Sequence, residues 1–163
     1  MTEKITPAIK GLITGLLMIL TYVLIFYTQK PSDYQLQYFS YVIYAAGIIW
    51  TLLTYSRSPL CNGKFGNLFN HGFRCFIVIT LLMVLYTGIF SSLHPEFKDE
   101  MAIAYKEQMT KEGNKTQPEI EQEITTFKKQ YTLRLVSGSI FGYLIIGAGL
   151  TAAVSALLTQ RNK

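Results

Sequence analysis

Few residues in this chain have side chains suited to metal binding or nucleophilic catalysis, and they are far apart. The two histidines, His71 and His94, flank opposite ends of one apolar segment and would stand about 35 Å apart in a helix. Cys61 and Cys75 form no C-x-x-C pair, which argues against a zinc site or a thiol–disulfide oxidoreductase. No phosphate-binding glycine loop or nucleophile elbow occurs. We therefore expect no catalytic residue, metal or cofactor, and a protein that is not an enzyme.

Tyrosine is the other side chain with a suggestive distribution. Most of the 11 tyrosines fall near the ends of apolar segments, which is typical of the aromatic belts at membrane interfaces. Three of them share one helical face, and together with polar residues after the third apolar segment they would line an outward pocket for a lipid or another amphipathic molecule. These residues are Tyr34, Tyr38, Tyr41, Ser91, Ser92 and His94.

Charged residues are scarce and unevenly spaced. Only 15% of residues are charged and 50% are hydrophobic, whereas a soluble domain has roughly 25% charged residues. Four long segments lack charge altogether, and a helix needs about 20 apolar residues to cross a bilayer. The sequence predicts an all-α membrane protein of one domain, residues 1–163, with spans at about 11–29, 35–56, 74–94 and 135–160.

The positions of the charges predict orientation and argue against one mechanism. The interiors of the four predicted spans contain no Asp, Glu, Lys or Arg, which disfavours proton-coupled transport through a membrane carboxylate. Four spans place both termini on one side, together with Arg57, Lys64 and Arg74 in a short connection that has no acidic residue. The positive-inside rule therefore predicts cytoplasmic termini. The net charge of +5 is an orientation signal, and no nucleic-acid partner is expected.

Residues 96–134, between spans three and four, have the pattern of a helical hairpin. One set of apolar residues recurs every four positions: Phe97, Met101, Tyr105 and Met109. The Glu112-Gly113-Asn114 segment breaks this pattern, and Thr116 with Glu119 then fits a capping box that starts a second helix. A second apolar set, at Ile120, Ile124, Phe127 and Tyr131, leads into span four without a stop. The hairpin is either a rigid cap on spans three and four or a docking surface for a protein partner or a second copy.

Small residues indicate where helices pack closely. Gly11 and Gly15 form G-x-x-x-G in span one, and small residues in close contact let membrane helices associate. A second G-x-x-x-G in span four has further small residues on nearly the same face: Gly138, Gly142, Gly149 and Ala153. We predict that both sets first hold the bundle together, with self-association as the alternative.

Two short motifs flank span three. The pattern F-G-x-x-F-x-x-G, at Phe65, Gly66, Phe69 and Gly72, lies in a connection that we predict to be an amphipathic turn at the membrane interface. Pro95-Glu96-Phe97 follows the span. With the four spans, these motifs resemble an uncharacterised bacterial membrane-protein family, catalogued as domain-of-unknown-function family 4199. The resemblance covers nearly the whole chain and implies a multi-pass protein of the bacterial cytoplasmic membrane, but it implies no activity and no catalytic residues.

Together these patterns favour a non-catalytic membrane protein with an accessory or interaction role, carried by the hairpin. The alternative is a small channel or transporter, or a lipid-binding membrane protein. Such a function would need polar faces on several spans to converge, and the hydroxyl residues are too scattered in the sequence to predict that.

Overall fold

The computed structural model describes residues 5–28, 35–113 and 115–161. All regular secondary structure in this part of the chain is helical, and the helices are α1 (Pro7–Thr28), α2 (Gln35–Ser56), α3 (Phe65–Leu93), α4 (Pro95–Glu112) and α5 (Gln117–Arg161). By length and composition, α1, α2, α3 and α5 can each cross a membrane. This confirms the predicted all-α fold and the prediction of four helices that are long and apolar enough to span a membrane.

Two helices begin earlier than the charge-free segments suggest. The first candidate span includes Lys10, because α1 already begins at Pro7. The predicted interfacial turn before residue 74 is instead the first part of α3, which begins at Phe65. The turn before α3 is made by Asn62, whose Oδ1 accepts the Lys64 N–H at 3.1 Å, and by Gly63 with φ 70°. Charged residues indicate where a helix leaves the hydrocarbon region, but they do not end the helix, whose backbone hydrogen bonds continue past them.

The helices form two compact units. The first comprises Met1–Met83 with Ile140–Lys163, and the second comprises Val84–Ser139. The first unit therefore contains α1, α2, most of α3 and the last part of α5. The second contains the end of α3, all of α4 and the first half of α5.

In the first unit, glycine allows the closest helix contacts. A Cβ on Gly147 of α5 would overlap the Tyr44 hydroxyl of α2 and lie 2.8 Å from Phe76 Cδ2 of α3. A Cβ on Gly47 of α2 would overlap Thr14 of α1. Buried apolar side chains fill the space between these contacts, namely Met18, Ile48, Leu52, Ile79 and Met83. Such packing is what drives helix association in lipid, where the hydrophobic effect contributes little.

The second unit contains the predicted helical hairpin, formed by α4 and the start of α5. α4 ends at Glu112, and Gly113 adopts a left-handed conformation (φ 66°, ψ 8°) that suits glycine at a helix C-terminus. The return arm is the start of α5, which continues unbroken for 45 residues and reaches about 68 Å. The structure confirms that the first helix of the hairpin ends at Glu112 and Gly113 and that α5 continues into the fourth span; Asn114 of the predicted break lies outside the described residues.

Candidate docking hairpin and buried polar residues

The two arms of the hairpin are joined by an ion pair, an aromatic stack and a small apolar interior. Lys128 Nζ of α5 lies 2.7 Å from Asp99 Oδ1 of α4. Tyr105 stacks on Phe127 with 5.0 Å between ring centroids. Ala102 and Met109 of α4 and Ile120 of α5 are buried, which accounts for the apolar periodicity of both arms. The predicted inward sets hold for Met109 and Ile120, but Met101 is exposed and Ala102, outside the predicted set, is buried. The Asp99–Lys128 pair was not predicted.

The turn between the arms is fixed by polar contacts. The Glu119 carboxylate accepts hydrogen bonds from the Thr116 backbone N–H and from the Thr116 hydroxyl, each at 2.8 Å. This carboxylate contact is one half of the predicted capping box. The backbone and side-chain donors of Thr116 also hold the pKa of Glu119 below its ordinary value. Lys115 pairs with Glu123 one turn farther along α5, and this contact raises the pKa of Lys115.

The base of the hairpin explains the Pro-Glu-Phe motif. Pro95 opens α4, a position that suits proline because its missing N–H has no helical partner there. The His94 ring accepts or donates a 2.6 Å hydrogen bond with Glu96 Oε1. The backbone N–H of Glu96 and then His94 lower the pKa of Glu96. Phe97 packs on Phe90 with 5.7 Å between ring centroids, so all three motif residues shape the α3–α4 joint.

The outer surface of the hairpin combines charge with isolated apolar side chains. Met101 and Ile103 on α4 are 43% and 60% exposed. An open groove of about 590 Å³ lies beside the aromatic stack. Its lining is mainly polar and consists of Tyr105, Lys115, Glu119, Gln122, Glu123, Thr126, Phe127 and Arg134.

The first family motif lies at the start of α3. Phe65 stacks on Phe69 at 5.8 Å, and Gly66 has no atom of the described residues within 4 Å of a built Cβ. Gly72 is a close contact, since its Cβ would lie 2.5 Å from the Thr151 methyl carbon of α5. Only the second glycine of the motif is therefore required for packing between these helices.

The predicted tyrosine pocket is not assembled as one cluster in either unit. Tyr34 and the Tyr38 side chain lie outside the described residues. Tyr41 belongs to the first unit, where its ring lies 5.9 Å from Tyr143. Ser91 and His94 belong to the second unit, where Ser91 hydrogen-bonds Thr132 at 3.1 Å and His94 contacts Glu96.

A different tyrosine cluster, which the sequence did not reveal, forms within the first unit. The Tyr44 hydroxyl is fully buried and donates a 2.9 Å hydrogen bond to the Tyr143 carbonyl oxygen. The two rings lie edge to face, 5.5 Å apart. Tyr44 is separated from Tyr41 by three positions along α2, so the same helical face carries both. The sequence signal for this cluster is Gly147, one turn after Tyr143, which makes room for the Tyr44 hydroxyl.

The small residues divide into packing and non-packing positions. Cβ atoms on Gly11 and Gly15 would lie 2.6 Å from the Cys75 carbonyl oxygen and 2.7 Å from Leu82 Cδ1, as expected for internal contacts. Cβ atoms built on three glycines of α5 meet nothing in the described residues within 4 Å: Gly138, Gly142 and Gly149. Ala153 is exposed. Internal packing through this face of α5 was therefore the wrong interpretation, because Gly147 makes the contact instead. Self-association through the face stays a prediction.

Buried polar residues lie toward the start of α1. Lys10 is only 1% exposed, and its Nζ lies 5.7 Å from the centroid of the Trp50 ring, within cation–π range. Nearby, the Thr51 hydroxyl donates to Cys75 Sγ at 3.2 Å. The charge-free segments place Lys10 at the flank of span one. It is instead buried within the first candidate span, because α1 begins before it and packs it against Trp50 of α2.

No group of three or more His, Cys, Asp or Glu residues able to hold a metal ion occurs within the described ranges. A family model described as "Protein of unknown function (DUF4199)" matches residues 10–161. The chain belongs to this family. In this DUF4199 member the match covers α1 from Lys10 onward and all of α2 to α5, including the motif at the start of α3 and the motif that follows α3. Neither the curated proteins nor the solved structures include a match to the chain.

Proposed function

We propose that this DUF4199 member is a non-catalytic, multi-pass membrane protein that acts as an accessory or interaction protein through the hairpin. The observation that carries this proposal is the exposure of Ile103 and Met101 on α4, which lie on either side of the face that α5 holds through the Asp99–Lys128 pair and the Tyr105–Phe127 stack. Exposed apolar side chains on a rigid, otherwise charged surface are typical of the few residues that supply most of the binding energy in a protein interface. The occupant that fits is a protein partner in the same membrane system.

The charge balance of the hairpin supports a protein partner. Residues 96–134 contain seven basic and eight acidic side chains, so the surface has no overall preference for a polyanion. Mixed charge around an apolar anchor gives orientation and specificity to a protein contact. We further propose the cytoplasmic membrane as the location, with both termini on the cytoplasmic side.

Site-specific photocrosslinking in native membranes tests the docking surface. A photoreactive residue at Ile103 should capture one defined protein, while the same residue at Thr125, an exposed position on the other arm, should capture much less of it. Equal capture from both positions, or crosslinks to lipid alone, would contradict the proposal. Capture of a second copy of the chain would replace a partner with self-association.

Transport is the second candidate function, and the burial of Lys10 favours it. A cationic side chain inside a candidate span is a usual mark of a transport pathway. The Thr51–Cys75 contact adds polar groups beside it. Flux measurements on reconstituted protein separate this function from docking, since a docking protein would show no flux above protein-free vesicles.

A further inference from the structure

Among its described residues, one end of the first unit presents only positively charged side chains. The described residues of this unit include no Asp or Glu. Four basic residues in it are exposed: Arg57, Lys64, Arg74 and Arg161. Arg57 directly follows α2, Lys64 directly precedes α3, Arg161 is the last residue of α5, and Arg74 lies in the third turn of α3. We call these four residues the basic end.

Helix contacts show that these residues gather at one end of the unit. Gly72 of α3 lies against Leu52 of α2 and Thr151 of α5, with distances of 3.2 and 2.5 Å from a built Cβ. A second contact level lies at Gly147, whose built Cβ meets Tyr44 and Phe76; it is later along α3 but earlier along α2 and α5, so α3 runs antiparallel to both. The end of α2, the start of α3 and the end of α5 therefore lie on the same side of the Gly72 contact, with Arg57, Lys64 and Arg161. Arg74 follows Gly72 by only two residues, about 3 Å along α3, and helical side chains lean toward the helix N-terminus, which is that same end.

The charges of the basic end are not neutralised within the described part of the unit. In those residues, none of the four side chains makes an ion pair, whereas Asp99–Lys128 and Lys115–Glu123 are paired in the hairpin. The four side chains of the basic end therefore present uncompensated positive charge within the described residues. A negatively charged ligand is the chemistry that this field favours.

Apolar side chains beside these charges narrow the class of ligand. Leu60 is 64% exposed and lies in the same α2–α3 connection as Lys64. Phe65 and Phe73 of α3 are 43% and 42% exposed, and each is the chain neighbour of a basic residue. A free phosphate or a nucleic acid would use the charges and leave these apolar groups in water. An amphiphile with an anionic head and apolar tails would satisfy both.

We propose that the basic end binds an anionic phospholipid. Its phosphate lies between Arg57, Lys64 and Arg74, and its acyl chains lie against Phe65 and Phe73. Basic clusters next to membrane helices attract anionic lipids, each basic residue adding about fivefold in affinity. This site is independent of the docking proposal, because the hairpin belongs to the other unit and has balanced charge.

The test measures which lipids stay with the full-length protein. The protein is reconstituted in vesicles of phosphatidylcholine and phosphatidylglycerol, extracted gently, and the retained lipids are quantified by mass spectrometry. The wild type should retain phosphatidylglycerol in excess of its share of the vesicle, and the excess should fall as salt screens the charges. The triple variant R57Q/K64Q/R74Q should lose the excess, with roughly fivefold lost for each single substitution.

Matched variants distinguish a site from general charge attraction. Removing three exposed lysines of the hairpin, in K106Q/K111Q/K129Q, should leave the excess unchanged, and the charge-conserving R57K/K64R/R74K should retain most of it. If the triple glutamine variant does not fold, the single variant Lys64→Gln tests the proposal. Lys64 lies in a loop and is exposed, so its substitution should not disturb folding. No phosphatidylglycerol excess in the wild type, or an equal loss from the hairpin variant, would overturn the proposal.

Discussion

Gly147 and Gly142 lie on the same helix but in different surroundings, so alanine should destabilise the protein at Gly147 and not at Gly142. At Gly147 the added methyl group would overlap the buried Tyr44 hydroxyl and lie 2.8 Å from Phe76. Overpacking of this kind costs typically 1–3 kcal/mol. Displacing Tyr44 also breaks its 2.9 Å hydrogen bond to the Tyr143 carbonyl oxygen, which contributes about 1 kcal/mol.

The backbone preference partly offsets this cost. Alanine favours a helix over glycine by up to about 1 kcal/mol, so we expect Gly147→Ala to lower the free energy of unfolding by about 1–3 kcal/mol. Gly142→Ala keeps the helix gain and meets no described atom within 4 Å, so it should be neutral or stabilising by up to about 1 kcal/mol.

Equilibrium unfolding in mixed micelles, followed by the fluorescence of the single tryptophan, Trp50, measures both variants. Tyr44→Phe in the Gly147→Ala background should recover part of the loss, because it removes the atom that the methyl group strikes. Equal stability of the two alanine variants would refute the packing argument. Loss of stability in Gly142→Ala that depends on protein concentration would instead reveal self-association through the exposed glycine face.

Two further predictions concern the α1–α3 contact and the hairpin. Gly11→Ala should destabilise the protein by about 1–3 kcal/mol, because the new methyl group meets the backbone oxygen of Cys75, which cannot move aside. Gly15→Ala should cost less, because its methyl group meets only the movable end of the Leu82 side chain. The same unfolding assay compares the two variants. In the hairpin, the Lys128 contact lowers the pKa of Asp99, so its contribution to stability is present above the ordinary value of 3.8 and is lost as pH falls through the lower folded pKa. Amide hydrogen exchange in α4 should therefore lose protection in acid, and Asp99→Asn should remove that part of the pH dependence; an unchanged acid profile would argue against the ion pair.

The sequence was most informative for features that are determined by neighbouring residues, namely the charge-free spans and the hairpin turn. Gaps in charge located the four long helices, because burying a charge in hydrocarbon is costly. Gly113 and the Thr116–Glu119 pair located the hairpin turn, because a left-handed C-cap and an N-terminal carboxylate are determined by neighbouring residues. The helix starts at Pro7 and Phe65 were missed, because the same charges that end a hydrocarbon span are compatible with a continuing helix.

Contacts between helices were harder to predict from the sequence, for a geometric reason. Periodicity shows that Gly138, Gly142 and Gly149 share nearly one face of α5, but it does not show which face meets a neighbour. Gly147 is the packing residue because the Tyr44 side chain reaches it from α2, a partner far away in the sequence. A small-residue motif thus identifies a surface that permits close approach. Only the shape of the opposing helix decides whether that surface is used inside the bundle or remains exposed to lipid or to another protein.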